Sequence, residues 1–157
     1  MRVNDIMRDF NAVVLAGGST IPRDLSIPGR ELKGVHFAMD FLKQQNKRVS
    51  HIKFEDADIV ATQKNVVVIG GGDTGSDCVG TSNRQEAKSV TQFELLPQPP
   101  TSRTNYMPWP TYPMLLKTTT SHEEGANRMW SVNTKAFIGD DKGNLKALQI
   151  VDLAWTS

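Results

Sequence analysis

Cysteine is nearly absent from this chain. Cys78 is the only one among 157 residues, and there are three histidines, His36, His51 and His122. A lone cysteine excludes an intrachain disulfide framework and an iron–sulfur cluster held by this chain. The histidines share no ligand spacing with one another or with Cys78, so no metal site is expected. An excess of one charge is also missing: 18 Lys and Arg face 17 Asp and Glu, a formal net charge of +1. Coating nucleic acid needs a concentrated surplus of Lys and Arg, so no nucleic-acid partner is expected. Apolar runs such as Val66-Val67-Val68-Ile69 fall far short of the ~18 residues that span a bilayer, and no membrane partner is expected. The opening Met1-Arg2-Val3-Asn4-Asp5 lacks the layout of a signal peptide, which with the unpaired thiol makes a reducing cytoplasm the expected location. Two catalytic signatures are missing as well. Four residues after Tyr106 and Tyr112 come Pro110 and Leu116, so no Tyr-x-x-x-Lys pair exists, and no Ser or Cys nucleophile sits in a recognisable elbow with a downstream His.

What remains is an ordinary globular composition, 38% hydrophobic and 22% charged, at a length that predicts one domain or one and a piece. Phe10 to Ser19 is a short apolar run closed by Gly17-Gly18, which predicts a buried strand and a tight turn. Ile21 to Arg30, with Pro22, Pro28 and Gly29, reads as an extended connector. Helical spacing of Val35, Phe37, Ala38, Phe41 and Leu42 predicts a short amphipathic helix, and the polar stretch Lys43 to Thr62 reads as a linker. From Lys64 the pattern strengthens. Asn65 to Ile69 predicts a buried strand, Gly70 to Gly75 a turn, Ser76 to Ala87 a helix and Ser89 to Leu95 a second strand, together a βαβ unit. Pro97, Pro99, Pro100, Pro108, Pro110 and Pro113 make the next window an irregular loop, whose Tyr106, Trp109 and Tyr112 need something to pack on. Ser121-His122-Glu123-Glu124 predicts a helix start. Ser131 to Ile138 and Leu145 to Trp155 predict two strands of a hairpin turned at Gly139 to Asn144.

The chemistry concentrates in Gly70-x-Gly72-x-x-Gly75, because it lies between a strand and a helix. In a dinucleotide site the first glycine permits the tight turn, the second lets backbone approach a pyrophosphate and the third allows close helix–strand packing. The pyrophosphate then rests on the helix N-terminus. Inside the turn, Thr74 either caps the helix or donates to phosphate, and Asp73 places a like charge beside it. An acid at the end of the second strand, about 20 residues on, reads the ribose hydroxyls in such sites, and Glu94 stands there. Its carboxylate would repel a 2′-phosphate, which favours NADH over NADPH; the alternative is a solvated strand-end Glu. Arg84 and Arg103 are the basic residues weighed as partners of a 2′-phosphate. Cys78, one turn into the helix, is expected to fill the core. A nucleotide site without a second substrate site suggests a flavin elsewhere.

The segment Val67-Val68-Ile69-Gly70-Gly71-Gly72-Asp73-Thr74-Gly75-Ser76-Asp77-Cys78-Val79 resembles the pyridine-nucleotide-binding segment of the glutamate synthase small (beta) subunit. So do Leu15 to Leu25, Ile27 to Val35, Phe93 to Pro100, Pro108-Trp109-Pro110, Ser121 to Gly125 and Phe137 to Asp140, nearly the whole chain. The resemblance implies an α/β, Rossmann-like fold of the disulfide-reductase-like flavoprotein kind, with a β-hairpin or meander and a piece of the FAD domain. Residues 1–63 would be the FAD-domain segment and linker, and residues 64–157 the NAD(P)H-binding domain, incomplete at its C-terminus. In the family, hydride passes from NAD(P)H to FAD. Electrons then run through iron–sulfur clusters to the large (alpha) subunit, where glutamine and 2-oxoglutarate become glutamate. By this resemblance Gly70, Gly72, Asp73, Thr74, Gly75 and Glu94 bind the nucleotide, and no residue is assigned a catalytic role.

The sequence also departs from the family. Its cysteine clusters, its FAD glycine fingerprint and its closing segment are missing, so an internal fragment is expected that binds neither FAD nor a cluster and is inactive alone. Leu95-Leu96-Pro97 stands where NADPH-using relatives carry a basic pair, and Gly17 replaces a threonine. Two rival readings are another FAD-dependent NAD(P)H oxidoreductase of the same superfamily and a non-catalytic nucleotide-binding module.

Overall fold

The structure is a computed structural model that describes residues 2–19 and 21–156; Thr20, within the expected FAD-domain segment and the resembling stretch Leu15 to Leu25, lies outside them. Its elements are α1 (Val3–Asp9), α2 (Ala38–Val49), β1 (Asn65–Ile69), α3 (Asp73–Arg84), β2 (Ser89–Phe93), α4 (Thr120–Glu123), β3 (Asn127–Met129), β4 (Val132–Gly139) and β5 (Leu145–Asp152). β1, β2 and β3 form a parallel sheet in that order, and β4 pairs with β5 as an antiparallel hairpin. The α/β expectation therefore holds, with α3 as the crossover from β1 to β2 that parallel pairing requires.

Burial explains the arrangement. Val68 of β1 and Val90 of β2 meet Cys78 and Val79 of α3, and the same core takes in Phe41 of α2 and Ala61. Val79 and Ser82 are fully buried, Ser82 because its hydroxyl donates to the Cys78 carbonyl at 2.7 Å within the helix. This core crosses the expected division at residues 63 and 64, since Phe41 and Ala61 lie on one side of it and Val68 on the other. Earlier still, Lys33 bridges to Asn144, its N–H donating to the Gly143 carbonyl at 3.0 Å, so the residues before α2 pack on the β4–β5 hairpin.

Two expectations are corrected, and one strand was not foreseen. The stretch from Phe10 to Ser19 forms no strand: Val14 and Leu15 are 87% and 94% exposed, because no described strand lies beside them to pair with. α2 begins at Ala38 and runs to Val49, through residues read as linker. Its polar Gln44 made the apolar period fade, yet that side chain is buried; its amide donates to the Ala57 carbonyl at 2.9 Å and its oxygen accepts the Ile59 N–H at 2.8 Å. Finally, β3 was not foreseen, being three residues long and containing Asn127 and Arg128. The proline-rich loop is irregular as expected, but Tyr106 and Trp109 lie exposed on it, with nothing described packed over them.

Candidate nucleotide-binding site

β1 ends at Ile69 and the chain turns at Gly70, whose φ of 118° is open to glycine and strained for other residues. The Gly70 N–H donates to the Phe93 carbonyl at 2.8 Å, which ties the turn to the end of β2. Gly72 is the residue before α3, and no side chain caps the helix there. The capping role considered for Thr74 is therefore corrected: Thr74 lies within the first turn, exposed, and the leading amides of α3 are left to water or a ligand. A Cβ at Gly72 would meet no atom within 4 Å, so protein packing does not demand glycine there; the space opens on a cleft. Gly75 is different. A Cβ there would lie 2.5 Å from the Gly70 carbonyl oxygen and 2.9 Å from Gln92 Nε2.

The cleft has a volume of about 370 Å³. Gly71, Gly72 and Asp73 line it from the turn, Glu94 from the end of β2, Lys117 from the loop before α4 and Arg128 from β3. Five of the six expected site residues are thereby grouped: Gly70 and Gly75 shape the turn, while Gly72 and Asp73 face the cleft, and Glu94 joins them across the sheet. The Glu94 carboxylate lies against Gly71, where a Cβ would collide with it, and accepts the Leu96 N–H at 3.3 Å. Thr74 is not among the residues lining the cleft.

The weighed basic residues are elsewhere. Arg84 pairs with Glu124, and Arg103 donates to the carbonyls of Met107 and Thr111 at 3.0 and 2.8 Å inside the proline-rich loop. The cations that do face the cleft, Lys117 and Arg128, were missed, since neither stands near the glycine turn in sequence. Lys117 donates to the Tyr112 hydroxyl at 2.7 Å; that bond, and less strongly the charge of Asp73, hold its pKa above the usual lysine value. Arg128 stacks over Trp130 at 5.0 Å from the ring centroid. Cys78 is core filler as expected, its thiol pushed up to about 11 by burial and then by the Asp77 charge.

Among the described residues no cluster of His, Cys, Asp or Glu could hold a metal ion, and no helix is long and apolar enough to cross a membrane. A parallel sheet whose first strand leads through a glycine turn into an uncapped helix facing a cleft defines a dinucleotide-binding class of fold. The pyridine nucleotide-disulphide oxidoreductase family matches residues 4–150, and the chain belongs to it. Within that family it is similar to the glutamate synthase [NADPH] small chain of Mycobacterium tuberculosis, 53% identical over 90% of this chain and 30% of the relative. It is also similar to the glutamate synthase [NADH] of Schizosaccharomyces pombe, 45% identical over 98% of this chain and 8% of the relative. The small chain of Bacillus subtilis is 40% identical, over 96% of this chain and 32% of the relative. The chain thus spans about a third or less of the length of these curated relatives.

Proposed function

We propose that this chain is the NAD(P)H-binding portion of a glutamate synthase small subunit. Its parent delivers hydride from NAD(P)H to FAD for glutamate synthesis from glutamine and 2-oxoglutarate, with a large (alpha) subunit or domain as partner, in the cytoplasm. The observation that carries the reading is the convergence of uncapped α3, open Gly72 and the Glu94 carboxylate on one cleft. The pyrophosphate rests on the leading amides of α3, where the helix dipole favours negative charge, and Glu94 accepts from the adenosine ribose hydroxyls. Asp73 and Lys117 both line the cleft beside the phosphates, Lys117 held there by its bond to the Tyr112 hydroxyl. The nucleotide supplies the hydride; the protein's part is to bind and orient it. With one cysteine this chain does not fit an iron–sulfur cluster, and among the described residues the only glycine turn between a strand and a helix is the one assigned to the nicotinamide cofactor, so these residues do not fit FAD as a second ligand.

Glu94 favours NADH, because a carboxylate repels a 2′-phosphate. One observation favours NADPH instead: Lys117 and Arg128 line the same cleft. Calorimetric titration with NADH and with NADPH, on the native chain and on Glu94→Ala, decides between them. Tighter NADH binding, weakened by E94A, supports the acid-read ribose. Preference for NADPH, kept in E94A, transfers the ribose role to the cations. Binding of neither overturns the nucleotide reading.

A further inference from the structure

Behind the cleft runs a chain of buried polar side chains that the nucleotide reading does not use. Gln92 of β2 donates from Nε2 to the Gly70 carbonyl at 2.9 Å. Its Oε1 lies 2.9 Å from His122 Nε2. The other ring nitrogen, Nδ1, accepts the Thr119 backbone N–H at 3.1 Å and stands 3.0 Å from Thr119 Oγ1. Thr119 Oγ1 in turn is 2.6 Å from Ser76 Oγ in the first turns of α3. Gln92, His122 and Ser76 are all buried. The relay starts at the carbonyl of the glycine turn and ends on the helix that the turn feeds, so it braces both sides of the proposed phosphate seat.

The partners fix the proton. A backbone N–H can only donate, so Nδ1 is the acceptor, Nε2 carries the hydrogen and donates to Gln92 Oε1, and the Gln92 amide is left facing Gly70. We propose that His122 is a positioning residue for nucleotide binding, acting through Gln92 on the Gly70 carbonyl, and that its protonation releases the turn and weakens binding. This inference rests on the nucleotide reading. A proton on Nδ1 would set that nitrogen against the Thr119 backbone N–H, costing the ring that bond and leaving it only the Thr119 hydroxyl oxygen as an acceptor, which loosens its hold on the relay. Gln92 then loses the partner that orients its amide. The close fit at Gly75 is part of the same device, since that residue has no side chain and the Gln92 amide and Gly70 carbonyl occupy its place.

The charges around the ring work in one direction. Burial disfavours the imidazolium first and Arg128 of β3 adds to it, holding His122 below the usual histidine range. From α3 the facing group is the neutral Ser76 hydroxyl, and Arg84 of that helix is engaged by Glu124; Gln92 faces it from β2. On its own helix Glu123 follows it in sequence.

The test is titration of the whole chain with NAD+ and NADP+ between about pH 8 and about pH 5, the oxidised forms being stable in acid, alongside amide hydrogen exchange of Gly70 to Gly72. The comparison is His122→Gln, which retains a donor toward Gln92 and cannot titrate in this range, with thermal melts at each pH to establish that both proteins are folded. The native chain should lose affinity by about tenfold on acidification, the equivalent of one hydrogen bond to the turn, and its glycine-turn amides should exchange faster. H122Q, which has no ring to protonate, should keep at the low pH nearly the affinity it has at the high pH. Binding that does not change with pH, or that changes equally in both proteins, overturns the role of His122 and leaves the nucleotide reading standing. No binding at any pH, with turn protection still following His122, overturns the nucleotide reading and with it the positioning role.

Discussion

Thr134 shows how one atom can decide a residue's contribution. It is buried in β4, and its hydroxyl has no hydrogen-bond partner among the described residues. A desolvated, unpaired hydroxyl costs about 1–2 kcal/mol, and valine has nearly the same shape. Thr134→Val should raise stability by about 1 kcal/mol, read as an increased urea midpoint at unchanged slope. Cys78 makes the complementary case. With its thiol buried and raised to about 11, it carries almost no thiolate at neutral pH. A thiol reagent should label it only at the rate of unfolding, and labelling of the native protein within seconds would contradict that burial. Gly70, Gly75 and Glu94 could be picked out in the sequence because the glycine spacing and the strand-end acid are local. Lys117, Arg128 and His122 could not, since they reach the turn from α4's approach and from β3, and His122 meets its partner Gln92 across 30 positions.

At the scale of elements, α2 depends on a side chain that mimics backbone. Gln44 satisfies the Ala57 carbonyl and the Ile59 N–H, and so fastens the chain entering β1 to the helix. Gln44→Ala leaves both groups without that partner and should cost about 2–3 kcal/mol by chemical denaturation, whereas an exposed position on the same helix such as Met39→Ala should cost far less. The β1–α3–β2 unit and the hairpin were legible for a simple reason: β-branched runs bounded by glycine, or by Gly, Asp and Asn, carry strand signals that need no distant partner. The stretch from Phe10 to Ser19 carries the same signal and is not a strand. An apolar run encodes the preference for a sheet but does not provide one. β3 is the converse, three residues with weak preference recruited by an existing edge at β2.

Across the whole molecule, acid should act in two stages. His36 is held low by burial and then by Lys64, and His122 by burial and then by Arg128. Both native pKa values lie below the reference 6.5, so the unfolded chain takes up protons first. Their stabilisation is complete above that value and is lost as pH falls below it towards the native pKa values. Asp24, held low by Arg30, and Asp140, held low by Asn144, lie below their reference of 3.8, and their stabilisation is lost only at still lower pH. Urea midpoints followed from neutral pH to pH ~3 should therefore fall in two steps, and replacing both histidines with Gln should remove the first.

The parallel sheet is covered unevenly. Val68 turns toward the helices, while Asn65, Val67 and Ile69 of β1 alternate onto a face left exposed, and among the described residues β1 is paired on one side only, with β2. Five uncharged residues rich in β-branched side chains, without proline, at an open edge are a template for stacking further strands from other molecules. Shelf life is thus the practical quantity this strand governs. Concentrated samples should grow fibrils that bind amyloid dyes, and a single lysine at Val67 should delay their onset without disturbing the fold.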